Sequence, residues 1–125
     1  MSKTFTDVAV FMRAAGQSVG TENIPQSSLY HNLIVEEFAE YIKARNDKDD
    51  TEIIDACFDT MWVIIGYMHS RGWDCEAIWD EGAKSNLAKI DKETGKVLKR
   101  ADGKVLKPED WKKPDFSKFV GKKNV

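Results

Sequence analysis

Residues 51–68 read TEIIDACFDTMWVIIGYM, an apolar run with three acids set into it and no Lys or Arg. At about 100° per residue this is a helix on which Glu52, Asp55 and Asp59 fall within roughly 60° of one another, with Gly66 on the same line. Ile53, Ile54, Cys57, Phe58, Met61, Trp62, Ile64 and Ile65 cover the rest of the cylinder. A surface helix keeps one apolar stripe, so this one is expected to be buried all round, with its acids needing partners.

Upstream lies a second helix, expected from Leu29 to Arg45. Its apolar stripe, Leu33, Ile34, Phe38, Tyr41 and Ala44, carries Glu37 and Glu40 inside it and Glu36 at its edge. Carboxylates in an apolar stripe are costly unless paired, protonated or bound to a metal. The connection NDKDD, residues 46–50, is a short polar turn, and Asp49 followed by Glu52 has the spacing of a capping box. A turn this short makes the two helices antiparallel neighbours, which brings Glu37 and Glu40 near Glu52 and Asp55.

Outward from this pair, Phe5 to Ala15 has helical spacing and stops at Gly16, and residues 17–27 read as a loop closed by a Ser27 or Ser28 cap. Gly72 caps the long helix at its C-terminus, and a fourth helix follows from about Asp74 to Ile90, with Asn86 in its apolar stripe. Beyond it, GKVLKRAD and GKVLKPED repeat at a period of eight, and the Asp102-Gly103 pair fits a small hairpin. Trp111, Pro114 and Phe116 are expected to dock this tail.

The 125 residues, 42% hydrophobic and 32% charged, suit one all-α domain over 1–125. It is a four-helix-bundle-like body over about 4–90 with a basic, mostly non-helical tail over 91–125. The formal charge of −2 is unevenly spread. Met1 to Ile90 holds 8 basic and 15 acidic residues, Asp91 to Val125 holds 11 and 6. That split argues against a nucleic-acid binder and suggests a basic tail lying as a lid over an acidic body or a bound anion. No apolar run is free enough of acids to span a bilayer and no secretory signal is indicated, so the expected location is the cytoplasm. Cys57 and Cys75 have no metal-type spacing and read as packed thiols.

Four facing acids without bases suit a hard divalent cation, Mg²⁺ or Mn²⁺, and Mg²⁺ prefers carboxylates together with substrate phosphates. Competing chemistries find no support. His31 and His69 lack nucleophile partners and HExxH spacing, and no glycine-rich phosphate loop is present. A non-catalytic helical interaction module remains the alternative from another class.

Glu36-Glu37-Phe38-Ala39-Glu40 with Glu52-Ile53-Ile54-Asp55 resembles the EExxE…ExxD signature of MazG-like all-α nucleoside triphosphate pyrophosphohydrolases, a group that includes phosphoribosyl-ATP pyrophosphohydrolase. The blocks at 59–66, 85–89 and 103–107 resemble small, often phage-encoded members. The resemblance implies metal ligands Glu37, Glu40, Glu52 and Asp55. It places Asn86 and Lys89, and less firmly Lys84, in the region contacting the nucleotide, and His31 is a further candidate there. Glu36 is expected to position water, Glu37 to take part in the reaction, and Asp59 to be a further ligand or base. Implied too are a nucleoside triphosphate substrate cleaved between its α and β phosphates, and a homodimer or homotetramer.

Overall fold

The computed structural model describes residues 3–121, and the fold is all-α. Its helices are α1 (Lys3–Ala14), α2 (Ile24–Asn46), α3 (Asp50–Ser70) and α4 (Cys75–Leu87). No strand is formed among the described residues, and a single 3₁₀ turn, Ser117–Phe119, interrupts the tail. The chain divides into two compact units, one running to Glu76 and one beginning at Ala77.

In the first unit α2 and α3 form the antiparallel pair expected from the short turn, and α1 packs on α3. The turn is held by an N-cap, with the Glu52 amide donating to Asp49 Oδ1 at 3.2 Å. Lys48 takes a left-handed φ of 56° to let the chain reverse within three residues. Helix α2 starts earlier than Leu29. Asn23 Oδ1 accepts from the Gln26 amide, and Pro25 supplies the fixed φ of a first turn, so Asn-Ile-Pro is a helix start rather than loop.

The core is Val8, Met12, Tyr30, Val63, Ile65 and Cys75, extended by Phe5, Leu33, Ile34, Trp62, Tyr67 and Met68. His69 binds this core to α1. Its Nε2–H donates to the Phe5 carbonyl at 3.0 Å, which leaves Nδ1 to face the Cys75 thiol at 3.7 Å. Burial pushes that thiol up to about 11, so Cys75 is a packed thiol. Gly72 ends α3 with φ +75°, and a β-carbon there would meet the backbone of Glu22 and Thr21.

The all-round burial expected of α3 does not occur. Ile54, Cys57, Phe58, Met61 and Ile64 are exposed, Ile54 at 70%. Helix α1 meets the C-terminal half of α3 through Phe11 on Trp62 and Phe5 on His69, and α2 buries Ala56, while the face of α3 that carries Ile54, Phe58 and Met61 is left exposed. Cys57 therefore is not packed. Phe38 is likewise 56% exposed, together with Val35 and Ile42 on the outer side of α2, and so is not part of its inner face.

In the second unit the tail is ordered on α4. The Trp111 indole N–H donates to Ser85 O at 2.8 Å, and Ser85 Oγ donates to Lys112 O. Phe116 lies over Gly82, and the Lys118 ammonium meets Glu81 at 3.0 Å. The hairpin centred on Asp102-Gly103 forms: Lys99 bridges Val105, and Gly103 adopts φ +89°.

Candidate active site

The acids of the α2–α3 pair are split into two groups that share two members. Towards the turn, an open cleft of about 380 Å³ is lined by Glu40, Lys43, Asp47, Asp49, Glu52 and Asp55. Lys43 is its one cation and is engaged by Asp47 at 2.8 Å. Further along the helices, Glu37 and Asp59 join Glu40 and Asp55 in a cluster of four carboxylates.

Glu37 lies on the side of α2 that packs α3, partly buried, and its Oε2 is buried with no hydrogen-bond partner. Its carboxyl is held above the ordinary glutamate range, first by desolvation and then by the charges of Glu40, Asp59 and Asp55. It also lies within hydrogen-bonding reach of Glu40, which two ionised carboxylates cannot use without a shared proton. Asp59 is raised for the same reasons, desolvation first, then Asp55 and Glu40.

Carboxylates raised by one another's charge favour an added positive charge. An orphaned carboxylate oxygen among mutually repelling carboxylates on two rigid helices fits a hard divalent cation, whose preferred ligands are such oxygens. Glu37, Glu40 and Asp55 have the donor type such a cation takes, with Asp59 beside them and Glu52 in the adjoining cleft. Among the described residues no three His, Cys, Asp or Glu side chains are already gathered closely enough to hold a metal ion.

Of the residues singled out from sequence, Glu37, Glu40, Asp55 and Asp59 are brought together. Glu52 lines the cleft without being among the charges that act on Glu37 or Asp59. Glu36 is exposed on α2. His31, also exposed, lies about 120° and 180° around α2 from Glu37 and Glu40. Asn86 is exposed rather than buried in a stripe, and accepts from the Lys89 ammonium at 3.0 Å; Lys84 is exposed nearby in sequence. Sequence reading overlooked Asp47 and Asp49 as cleft residues. Their signal was the NDKDD turn itself, taken only as a cap.

Among the described residues no helix is long and apolar enough to cross a membrane. No curated protein matches the chain. Residues 15–86, more than half of it and the whole α2–α3 pair, match the phosphoribosyl-ATP pyrophosphohydrolase family. The chain belongs to that family, in the superfamily that includes the MazG-like all-α nucleoside triphosphate pyrophosphatases, and is a pyrophosphohydrolase acting on a nucleotide.

Proposed function

We propose that this chain hydrolyses nucleoside or deoxynucleoside triphosphates between the α and β phosphates, releasing a monophosphate and pyrophosphate, with Mg²⁺ as cofactor and Mn²⁺ able to replace it. The observation that carries the reading is the partnerless buried Oε2 of Glu37 within its cluster of carboxylates. Glu37, Glu40, Glu52 and Asp55 would hold the metal. A divalent cation at such a site neutralises phosphate oxygens and acidifies bound water.

The chain's own groups do the rest. Glu36 positions the attacking water. Asp59 serves as a further ligand or as the base, supported by its place against Asp55 and Glu40. Asn86, Lys89, Lys84 and His31 contact the nucleotide. The substrate named by the family's own description, phosphoribosyl-ATP, is the second reading, and the chemistry at the anhydride is the same.

The working form is a homodimer or homotetramer. Support comes from the uncovered strip Ile54, Phe58 and Met61 on α3, which carries no charged side chain. It is continuous with α1 through the rings of Phe58, Trp62 and Phe11, whose centroids are 5.8 and 5.6 Å apart. Contiguous exposed apolar surface of this kind marks an interaction face.

The test is a panel of ribo- and deoxynucleoside triphosphates and phosphoribosyl-ATP with Mg²⁺, reading monophosphate and pyrophosphate. Monophosphate and pyrophosphate in equal amounts, lost with EDTA or with Glu40→Gln, are expected. Turnover that survives both changes sinks the reading.

A further inference from the structure

The cleft beside the α2–α3 turn holds one group that metal binding leaves without a task, the ammonium of Lys43. Lys43 sits three residues beyond Glu40 on α2, about one helical turn, and Glu40 belongs both to the cleft and to the carboxylate cluster. Apart from its acids, the cleft is lined by Lys43, Ala44 and Ala56. It therefore presents no aromatic or long apolar side chain on which a nucleobase could stack. Its chemistry is that of charge, and it suits the phosphate end of a nucleotide rather than the base.

Lys43 Nζ donates to Asp47 Oδ2 at 2.8 Å, and both side chains are exposed. An exposed i, i+4 ion pair is held weakly, because water screens it and both side chains give up rotamers to keep it. A phosphate oxygen can take the place of Asp47 at little cost. The hydrogen bond and charge of Asp47 first, then the charges of Glu52 and Asp49, hold Lys43 above the ordinary lysine range. Lys43 thus acts by its charge and keeps its proton.

Hydrolysis between the α and β phosphates forms a bond from the water oxygen to the α phosphorus and breaks the bond to the bridging oxygen. The electron pair of the broken bond stays on the pyrophosphate, and the proton lost by water goes to the carboxylate that serves as base. Negative charge therefore grows on the pyrophosphate half as the bond breaks, which is where a fixed cation lowers the barrier. We propose that Lys43 binds this leaving group, exchanging Asp47 for a pyrophosphate oxygen. The assignment rests on the hydrolysis reading and gives that reaction a residue outside its acidic signature.

The full chain, with Mg²⁺ in excess, is titrated calorimetrically with pyrophosphate and, separately, with a nucleoside monophosphate. Lys43→Ala should weaken pyrophosphate about tenfold, the cost of one charged hydrogen bond, and leave the monophosphate and the circular dichroism unchanged. Lys43→Arg should keep pyrophosphate binding. Arg45→Ala, which removes the same charge about 200° around α2, should change neither product. Asp47→Asn should tighten pyrophosphate, since Lys43 then loses its competing carboxylate. Equal weakening of both products by Lys43→Ala overturns the assignment, as does loss of pyrophosphate with Arg45→Ala. A loss with Asp47→Asn as large as that with Lys43→Ala overturns it too, because the ion pair itself would then be what matters. A parent that releases pyrophosphate from triphosphates while Lys43→Ala binds it undiminished strikes Lys43 alone; a parent that releases none strikes the hydrolysis reading.

Discussion

The ring of Tyr30 lies against the α-carbon of Gly66: a β-carbon there would meet Tyr30 Cδ1 at 2.6 Å and Cζ at 2.8 Å. Tyr30 is 3% exposed, and its hydroxyl donates to Gln17 Oε1 at 2.6 Å, so the ring cannot swing aside without losing that bond. This contact sets the spacing of α2 and α3, and so of the acids they carry. Gly66→Ala should destabilise by about 3 kcal/mol, the upper range for overpacking. Gly82→Ala, whose nearest neighbour is Phe116 at an ordinary 3.4 Å, should cost far less. Urea unfolding of both variants checks the contrast.

The raised carboxyls give a pH signature in the metal-free protein. Glu37 and Asp59 hold a proton more tightly folded than unfolded. Their contribution therefore favours folding at low pH and is lost as pH rises through the raised values. Glu37→Gln should melt higher than the parent at neutral pH in EDTA, and the gap should close towards about pH 4, where the parent's carboxyls are also neutral. Saturating Mg²⁺ should stabilise the parent and not the variant. A gap independent of pH would mean that Glu37 does not hold its proton more tightly in the folded state.

Much of this was legible in the sequence. Asp49, Glu52 and the brevity of NDKDD specified the hairpin of helices, since capping and turn length are local properties. Gly103 and Gly72 were readable because positive φ leaves few alternatives. Phe38 and Phe58 were misread for the opposite reason: a helical wheel reports an apolar face, but not whether the same chain supplies its cover. Here α1 meets α3 through Phe11 on Trp62, and the face of α3 with Ile54, Phe58 and Met61 stays exposed. Asp59 fell on the acid line of the wheel one turn from Asp55, yet its closeness to Glu40 follows from the packing of α2 on α3.

The bare strip predicts the behaviour of the thiols and of the assembly together. Met61→Glu should convert the oligomer to a monomer by light scattering, with helicity retained. Cys57, exposed on α3 beside the strip, should react with an aromatic disulfide faster in that variant than in the parent. Cys75, buried with its thiol pushed up to about 11, should stay slow in both. A monomeric parent with a fast Cys57 would assign the strip to some other partner.

The division of acids predicts unequal roles for Asp59 and Glu52. Asp59 is surrounded by Asp55 and Glu40, so an amide there changes the charge that a cation sees at the centre of the cluster. Glu52 lies in the cleft near the turn, where Lys43 already feels its charge and those of Asp47 and Asp49. Asp59→Asn should thus weaken Mg²⁺ activation about as much as Asp55→Asn, by roughly tenfold or more for one lost charged ligand contact. Glu52→Gln should be partly covered by Asp47 and Asp49, and its loss should deepen when Asp49→Asn is added. Mg²⁺ titrations of turnover in the three single variants and the double variant measure this directly. Equal losses for Glu52→Gln and Asp55→Asn, with Asp59→Asn unaffected, would return the site to the four acids of the signature.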